Sequence, residues 1–416
     1  MHVWLLQTWE PNPIDDPNGR PWRTGILAQR LLANGHKVTW FASNFSHSTK
    51  KFRSAKPGPV EISKDFTIWL IDALGYEKHV SLRRLKDHKF VAKQFALIAH
   101  SLEIPDIIVA SYPTIETCEQ AAIYAKSKGI PLLIDIRDQY PDLYWENSGG
   151  LKQTIIKAGC KISGMEKMAQ RALAGATGVT GNGPEVVAWG IQKARRYQGE
   201  FDQPLFMSYQ PKILNDEERS VALVWWKQEH GVQPGDRLVI YAGMLGQTID
   251  FETLLGAAKL LPDTKFIICG GGDKLSEFKS SAQNTFNMKL TGWLDSLKIQ
   301  CLMEIAEIGL IPYIPSPNFE KGITNKPVEY LSNGLPILTT LHKGTLVELM
   351  NQHGAGLSYE TKNINHLVKQ VNNIYSNKEA MSRNARNLFE TNFHPDQIYG
   401  QWIKIIEHLA QENRKD

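Results

Sequence analysis

The stretch RLVIYAGMLGQTIDFETLLGAAKLLPDTKFIICG, residues 237–270, decides the fold. It opens and closes on apolar runs, 237–243 and 264–270, with a segment of helical period between them. Strands that are apolar throughout are buried on both faces, and strands joined through a helix lie parallel. The alternation continues downstream through 288–293, 308–313, 336–340 and 354–359. It also fills the first half, where HVWLLQ (2–7), KVTWFAS (37–43), FTIWLID (66–72), DIIVASY (106–112), PLLIDIR (131–137) and GVTG (178–181) read as strands. Segments 24–34, 91–102 and 115–128 read as helices between them. An α/β protein of two doubly wound domains follows.

With 416 residues, the chain exceeds the ~250–300 at which a single core stops growing. The polar, Pro-containing stretch 199–216 is the expected boundary, giving domains 1–205 and 206–395. Residues 396–416 then form an amphipathic helix, with Ile398, Trp402, Ile405, Ile406 and Leu409 on one buried face. The period does not say which domain that face packs on.

A net charge of +4 is too small to point to nucleic acid. The positive residues nevertheless gather in the first half: Lys50, Lys51 and Arg53; Arg83, Arg84, Lys86 and Lys89; Lys152, Lys157, Lys161 and Lys167. A solvated face and an anionic membrane surface are both open readings. The basic amphipathic segment 151–173 divides the same way, between covering the core and lying on an inner leaflet. Four cysteines, 118, 160, 269 and 301, lie far apart without metal-site spacing, which fits a cytoplasmic protein. The start MHVWLLQTWEPNP has no basic n-region and reads as a first strand, and no apolar run approaches the ~18–20 residues of a membrane span.

In parallel sheets, ligands sit beyond the carboxyl ends of strands. Three loops of the second half occupy such places. The first holds Gly243, Met244, Gly246 and Gln247, and the second runs Gly270-Gly271-Gly272-Asp273-Lys274. Their glycines suit either close approach of a phosphate or a tight turn. The third, Tyr313–Pro336, is richer. Its end at Thr324-Asn325-Lys326-Pro327 is a helix start, where free N–H groups, the helix dipole and Lys326 together make an anion site. Glu329 could accept hydrogen bonds from the vicinal hydroxyls of a ribose. It could equally be a plain third residue in a helix capped at Lys326.

Here the sequence resembles a known family. Residues 325–336, NKPVEYLSNGLP, look like the N-K-x-x-E-Y-L-x-x-G-x-P signature of glycosyltransferase family 4, in its bacterial surface-polysaccharide members. The Gly243–Gly246 turn, Gly292-Trp293 and the 134–141 stretch IDIRDQYP extend the likeness over nearly the whole chain. The resemblance implies the GT-B fold, two Rossmann-like domains facing a central cleft, with the C-terminal helix crossing back to the N-terminal domain. It implies transfer with retention at the anomeric carbon, without a metal or other cofactor. Glu329 would then bind the donor ribose and the helix start the diphosphate. Two features depart from the pattern: Lys321 stands where a second glutamate is common, and Met244 and Gln247 where an Arg/Lys pair often neutralises the leaving diphosphate. That task would pass to Lys326, with Lys321 or Lys274.

The expected donor site thus comprises Gly243, Gly246, Gln247, Gly271, Gly272, Lys274, Trp293, Lys321, Gly322, Thr324, Asn325, Lys326 and Glu329. On the acceptor side, the loop 11–23 contributes Gly19, Arg20 and Arg23, or is an ordinary surface loop. Arg137 and Asp138, after the 131–137 strand, position a sugar, or Asp138 caps a helix. His47 ends the second strand at the functional edge of the sheet. The catalytic set is Asp138, Lys326, Glu329 and His47. The expected reaction moves a sugar from a nucleotide diphosphate, UDP by preference, to a saccharide or lipid-linked acceptor in O-antigen or capsule synthesis, with a peripheral membrane contact. An epimerase on the same scaffold, or a silent sugar-binding homologue, are the rivals.

Overall fold

The computed structural model describes residues 1–17, 19–78, 81–146 and 148–413. The last three residues of the expected 396–416 helix lie outside that set. The chain divides into two compact units, Met1–Leu205 with Ile398–Asp416, and Phe206–Gln397.

The first unit is built on ten strands: β1 (His2–Leu6), β2 (Lys37–Ser43), β3 (Phe45–Ser46), β4 (Lys51–Phe52), β5 (Gly58–Ser63), β6 (Phe66–Ile71), β7 (Ile107–Tyr112), β8 (Leu132–Ile136), β9 (Gly178–Gly181) and β10 (Gln203–Pro204). Eight of them form one sheet in the order β10-β9-β8-β7-β1-β2-β6-β5. All its neighbours run parallel except β5, which pairs antiparallel with β6. The central strands are buried along nearly their whole length, as their unbroken apolar runs require. Edge strand β5, GPVEIS, is mostly exposed and has no continuous apolar run, so it gives no comparable signal.

The second unit carries β11 (Arg237–Ala242), β12 (Thr264–Cys269), β13 (Met288–Gly292), β14 (Ile308–Ile311), β15 (Ile337–Thr339) and β16 (Gly356–Ser358). They form one parallel sheet in the order β13-β12-β11-β14-β15-β16. In each sheet the strand order reverses beside the first strand, between β1 and β7 and between β11 and β14. Connections leave in opposite directions at such a switch point, which opens a crevice beyond the carboxyl ends of the two strands.

Helix Pro395–Glu412 buries Tyr399, Trp402, Ile403, Ile406 and Leu409 in the core of the first unit, against Val3, Leu27, Leu31, Val38 and Trp40. The Arg23 guanidinium lies 4.5 Å above the Trp402 ring, and His36 bonds Glu407 at 3.0 Å. The second helix of the unit starts at Leu82, nine residues ahead of the expected 91. Ser81 caps it by accepting from the Arg84 N–H at 3.2 Å, while the exposed, basic first turns carry no apolar period. Replacing Trp402, 1 % exposed, by alanine is expected to cost about 3–5 kcal/mol. Urea unfolding reads this loss, and one below roughly 1 kcal/mol would contradict the packing.

Candidate active site

The crevice of the second unit is bounded by the loops after β11 and β14. They are zipped together: Ile249 and Tyr313 form an antiparallel bridge, and the Ile314 N–H donates to the Thr248 carbonyl at 2.7 Å. The loop after β14 ends in helix Asn325–Ser332. Tyr330 holds that helix in place. Its ring is fully buried, and its hydroxyl accepts the Ala242 N–H at the end of β11 at 2.9 Å. It lies so close over Gly309 of β14 that a Cβ there would sit 2.4 Å from the ring. Gly334, at φ +72°, lets the chain leave the helix and turn into β15.

The cap of this helix is Thr324, not Lys326. Glu329 is therefore the fifth helical residue, too far along to cap it, and the plain capping reading falls. Its carboxylate is 8 % exposed and accepts the Lys326 ammonium at 2.8 Å. The Thr324 side chain makes no capping bond among the described residues. The first-turn N–H groups of Asn325 and Lys326 have no partner within the helix, and Pro327 brings no donor at all. The field of Lys326 reaches the Cys269 thiol at the end of β12, although burial dominates there and pushes the thiol up to about 12. Burial also raises the Tyr313 hydroxyl, which hydrogen-bonds with Tyr241 and Thr324 and feels the charge of Glu329. Lys326, Glu329, Tyr313 and Thr324 thus share one locale at the switch point.

The other expected donor residues distribute unevenly. Gly243 and Gly246 lie in the loop after β11, with Gln247 exposed and Met244 78 % exposed. The glycine triplet is explained by its neighbour. Cβ atoms at Gly270 (φ +136°) and Gly272 (φ +152°) would fall 1.8 Å from the Gly243 oxygen and 2.2 Å from the Leu245 oxygen. The Leu245 N–H donates to the Gly271 carbonyl at 2.8 Å. These glycines let two loops pack backbone to backbone. Lys274 is bonded to Glu277 at 2.5 Å, Trp293 is 80 % exposed after β13, and Lys321 and Gly322 are half-buried.

In the first unit, the crevice between β1 and β7 holds charges that neutralise one another. Asp135, fully buried, accepts Arg23 Nε and Nη2 at 2.9 Å each and Thr180 Oγ1 at 3.0 Å. Arg137 donates to Asp135, Glu10, Thr24 Oγ1 and Ser111 Oγ. Burial alone would raise the Asp135 carboxyl, but Arg23, Arg137 and Thr180 outweigh it and leave it lowered. Arg23, 4 % exposed, thus braces the interior, a correction to its placement as an acceptor ligand. Arg137 spends its donors in the same way.

Asp138 lies beside this network with an exposed edge. Enough protein surrounds its carboxyl to raise it above the usual range, with Arg137 pulling the other way. His47 stacks on Trp9, centroids 5.1 Å apart, and its Nδ1 meets the Tyr76 hydroxyl at 2.5 Å. The Arg84 guanidinium lies 4.6 Å from the centre of the Trp9 ring. Trp9, Tyr76 and His88 escape the sequence reading, and Arg84 enters it only as one of a basic cluster; only the place of Trp9, just past the first strand, hints at them. The cavity between Trp9, Arg84, His88 and Tyr140 is 20 Å³, room for about one water. The cluster is a wall, not a ready sugar pocket. Gly19 and Arg20 line a different cavity of 340 Å³, with Gln29, Trp40 and Phe66. Among the described residues, no three His, Cys, Asp or Glu side chains are grouped to hold a metal.

Residues 225–388 match the family described as glycosyl transferases group 1. The match covers the candidate donor crevice and supports glycosyl transfer as its chemistry. The sequence matches none of the curated proteins. Among solved structures, sucrose-phosphate synthase from Thermosynechococcus elongatus superposes with a TM-score of 0.69 at 14% identity, covering 99% of both chains. HepE from Anabaena, in complex with UDP, gives 0.64 at 14% identity, over 98% of this chain and 99% of that one. The fold is GT-B. A putative UDP-N-acetylglucosamine 2-epimerase from Listeria monocytogenes shares the GT-B fold at a TM-score of 0.60 and 12% identity, over 99% of this chain and 97% of that one.

Losing the Asp135 charge strands Arg23 in the core, so Asp135→Asn is expected to destabilise the protein by about 3–5 kcal/mol at pH 7. The native carboxyl is lowered relative to the unfolded chain. The advantage of the wild type is therefore full above about pH 4 and shrinks as pH falls through the native value. Denaturant titrations of both proteins from pH 7 to 3 read this; a gap independent of pH would contradict it.

Proposed function

We propose that the protein is a retaining glycosyltransferase of family 4, moving a sugar from a nucleotide diphosphate, UDP by preference, to a saccharide or lipid-linked acceptor in cell-surface polysaccharide synthesis at the cytoplasmic side of the membrane. The observation that carries the reading is the buried Glu329 paired with Lys326 at an open helix start, on the switch point of the second sheet.

On this reading, the vicinal hydroxyls of the ribose donate to Glu329, and the diphosphate lies on the N–H groups of Asn325 and Lys326. Lys326 turns from Glu329 toward the phosphates and balances the charge that grows on them as the glycosidic bond breaks. Ammonium and helix dipole together supply the positive charge, so the transfer needs no metal. Asp138 touches the acceptor, on rigid backing from Arg137.

The Listeria neighbour bears an epimerase name, which keeps that rival open for the same site. Incubating donor alone separates the two, because an epimerase converts it and a transferase requires acceptor.

Glu329→Ala removes charge-assisted bonds worth about 1.5–3 kcal/mol, so UDP affinity is expected to fall roughly ten- to a hundredfold. Lys326→Ala is expected to weaken UDP similarly while sparing uridine. Calorimetry reads both, and unchanged UDP affinity in Glu329→Ala would sink the assignment.

A further inference from the structure

Helix Met165–Ala174 points its apolar residues inward, burying Ala169, Ala172 and Leu173. The helix before it, Gly150–Ile162, does the reverse. Of its residues Cys160 is buried, whereas Leu151 is 76 % exposed, Ile155 61 % and Ile162 87 %. At about 100° per residue, Leu151, Ile155, Ala158 and Ile162 fall within an arc of roughly 60°, with Cys160 near the opposite pole. Lys152 lies on one flank of that arc and Lys157 and Lys161 on the other. No Asp or Glu occurs between Glu146 and Glu166. The helix therefore rests on the protein through its Cys160 side, turns an aliphatic stripe outward, and carries a basic girdle between the two.

Such a stripe calls for a cover. A second copy of the chain fits poorly, because a two-fold contact sets the same patch on itself and opposes lysine to lysine. An anionic bilayer satisfies both features: aliphatic side chains enter the acyl boundary, and ammonium groups stay at the level of the phosphates.

We propose that helix Gly150–Ile162 lies in the surface of an anionic lipid bilayer, with Leu151, Ile155 and Ile162 inserted and Lys152, Lys157 and Lys161 on the headgroups. This extends the reading of a lipid-linked acceptor, which would be met at that surface, and uses no residue of the donor site.

Co-sedimentation tests it, using phosphatidylcholine vesicles with and without about one-third phosphatidylglycerol, at roughly 0.15 M salt. The full chain is expected to pellet with the anionic vesicles and remain in solution with pure phosphatidylcholine. Each Lys→Gln change among the three should weaken binding roughly fivefold. The double variant Ile155→Asp, Ile162→Asp should lose it altogether while keeping wild-type circular dichroism and UDP affinity. Wild-type protein left in solution beside anionic vesicles would overturn the proposal. So would a double variant that pellets like the wild type, or one whose only change in sedimentation velocity is a lost dimer. Failure of UDP binding would strike the donor reading and leave the vesicle result standing, and the converse holds.

Discussion

Tyr330 fixes the geometry on which the candidate donor site depends. Its ring lies on the bare backbone of Gly309 and its hydroxyl takes the last free N–H of β11. One side chain therefore ties the helix to both strands of the switch point. The fully buried phenol cannot shift without leaving both that N–H and its own hydroxyl unsatisfied. With the helix so placed, Glu329, one residue earlier, and Lys326, one turn earlier, face the crevice. The far end is secured separately, by Gln300 on Asn333 at 2.8 Å and by Arg386 on the Ser332 carbonyl. The helix is thus bonded to its neighbours at its carboxyl end, while its first-turn N–H groups have no partner within the helix.

The two units share a strand plan and differ in how they treat charge. Beside β1, two arginines and two carboxylates neutralise one another inside the fold, and their donors are committed to protein acceptors. Such a network holds helix, sheet and C-terminal segment together, and removing one member exposes the rest to an uncompensated field. Beside β11, the Lys326–Glu329 pair has a partly exposed ammonium, 27 % open, next to first-turn N–H groups that have no partner within the helix. The first arrangement is closed and structural. The second leaves its ammonium partly open to solvent while its carboxylate is buried.

The sequence reveals what is local. Nearly continuous apolar runs marked the central parallel strands of both sheets, because burial on two faces leaves no room for alternation, while the two-residue strand β10 carries no such run. The Pro–Gly frame around 325–336 located the helix and its carboxylate. Antiparallel β5 was not legible, since its exposed residues follow no buried period. Neither was the start at Leu82, whose basic first turns carry exposed side chains. The role of Arg23 depended on Asp135, far away in sequence, and no local pattern announces such a pairing. The glycines at 270 and 272 were legible as sites of close approach, but not the object approached: the neighbouring loop. The outward stripe of Leu151, Ile155 and Ile162 has the spacing of a core-facing helix, and only the three-dimensional structure shows which way it turns.

A crystal structure of the protein with UDP tests the central claim most directly. The account predicts both ribose hydroxyls within hydrogen-bonding distance of the Glu329 carboxylate, the diphosphate on the N–H groups of Asn325 and Lys326, and the Lys326 ammonium turned from Glu329 to a phosphate oxygen. A nucleotide bound elsewhere, with the Lys326–Glu329 pair intact, would contradict it.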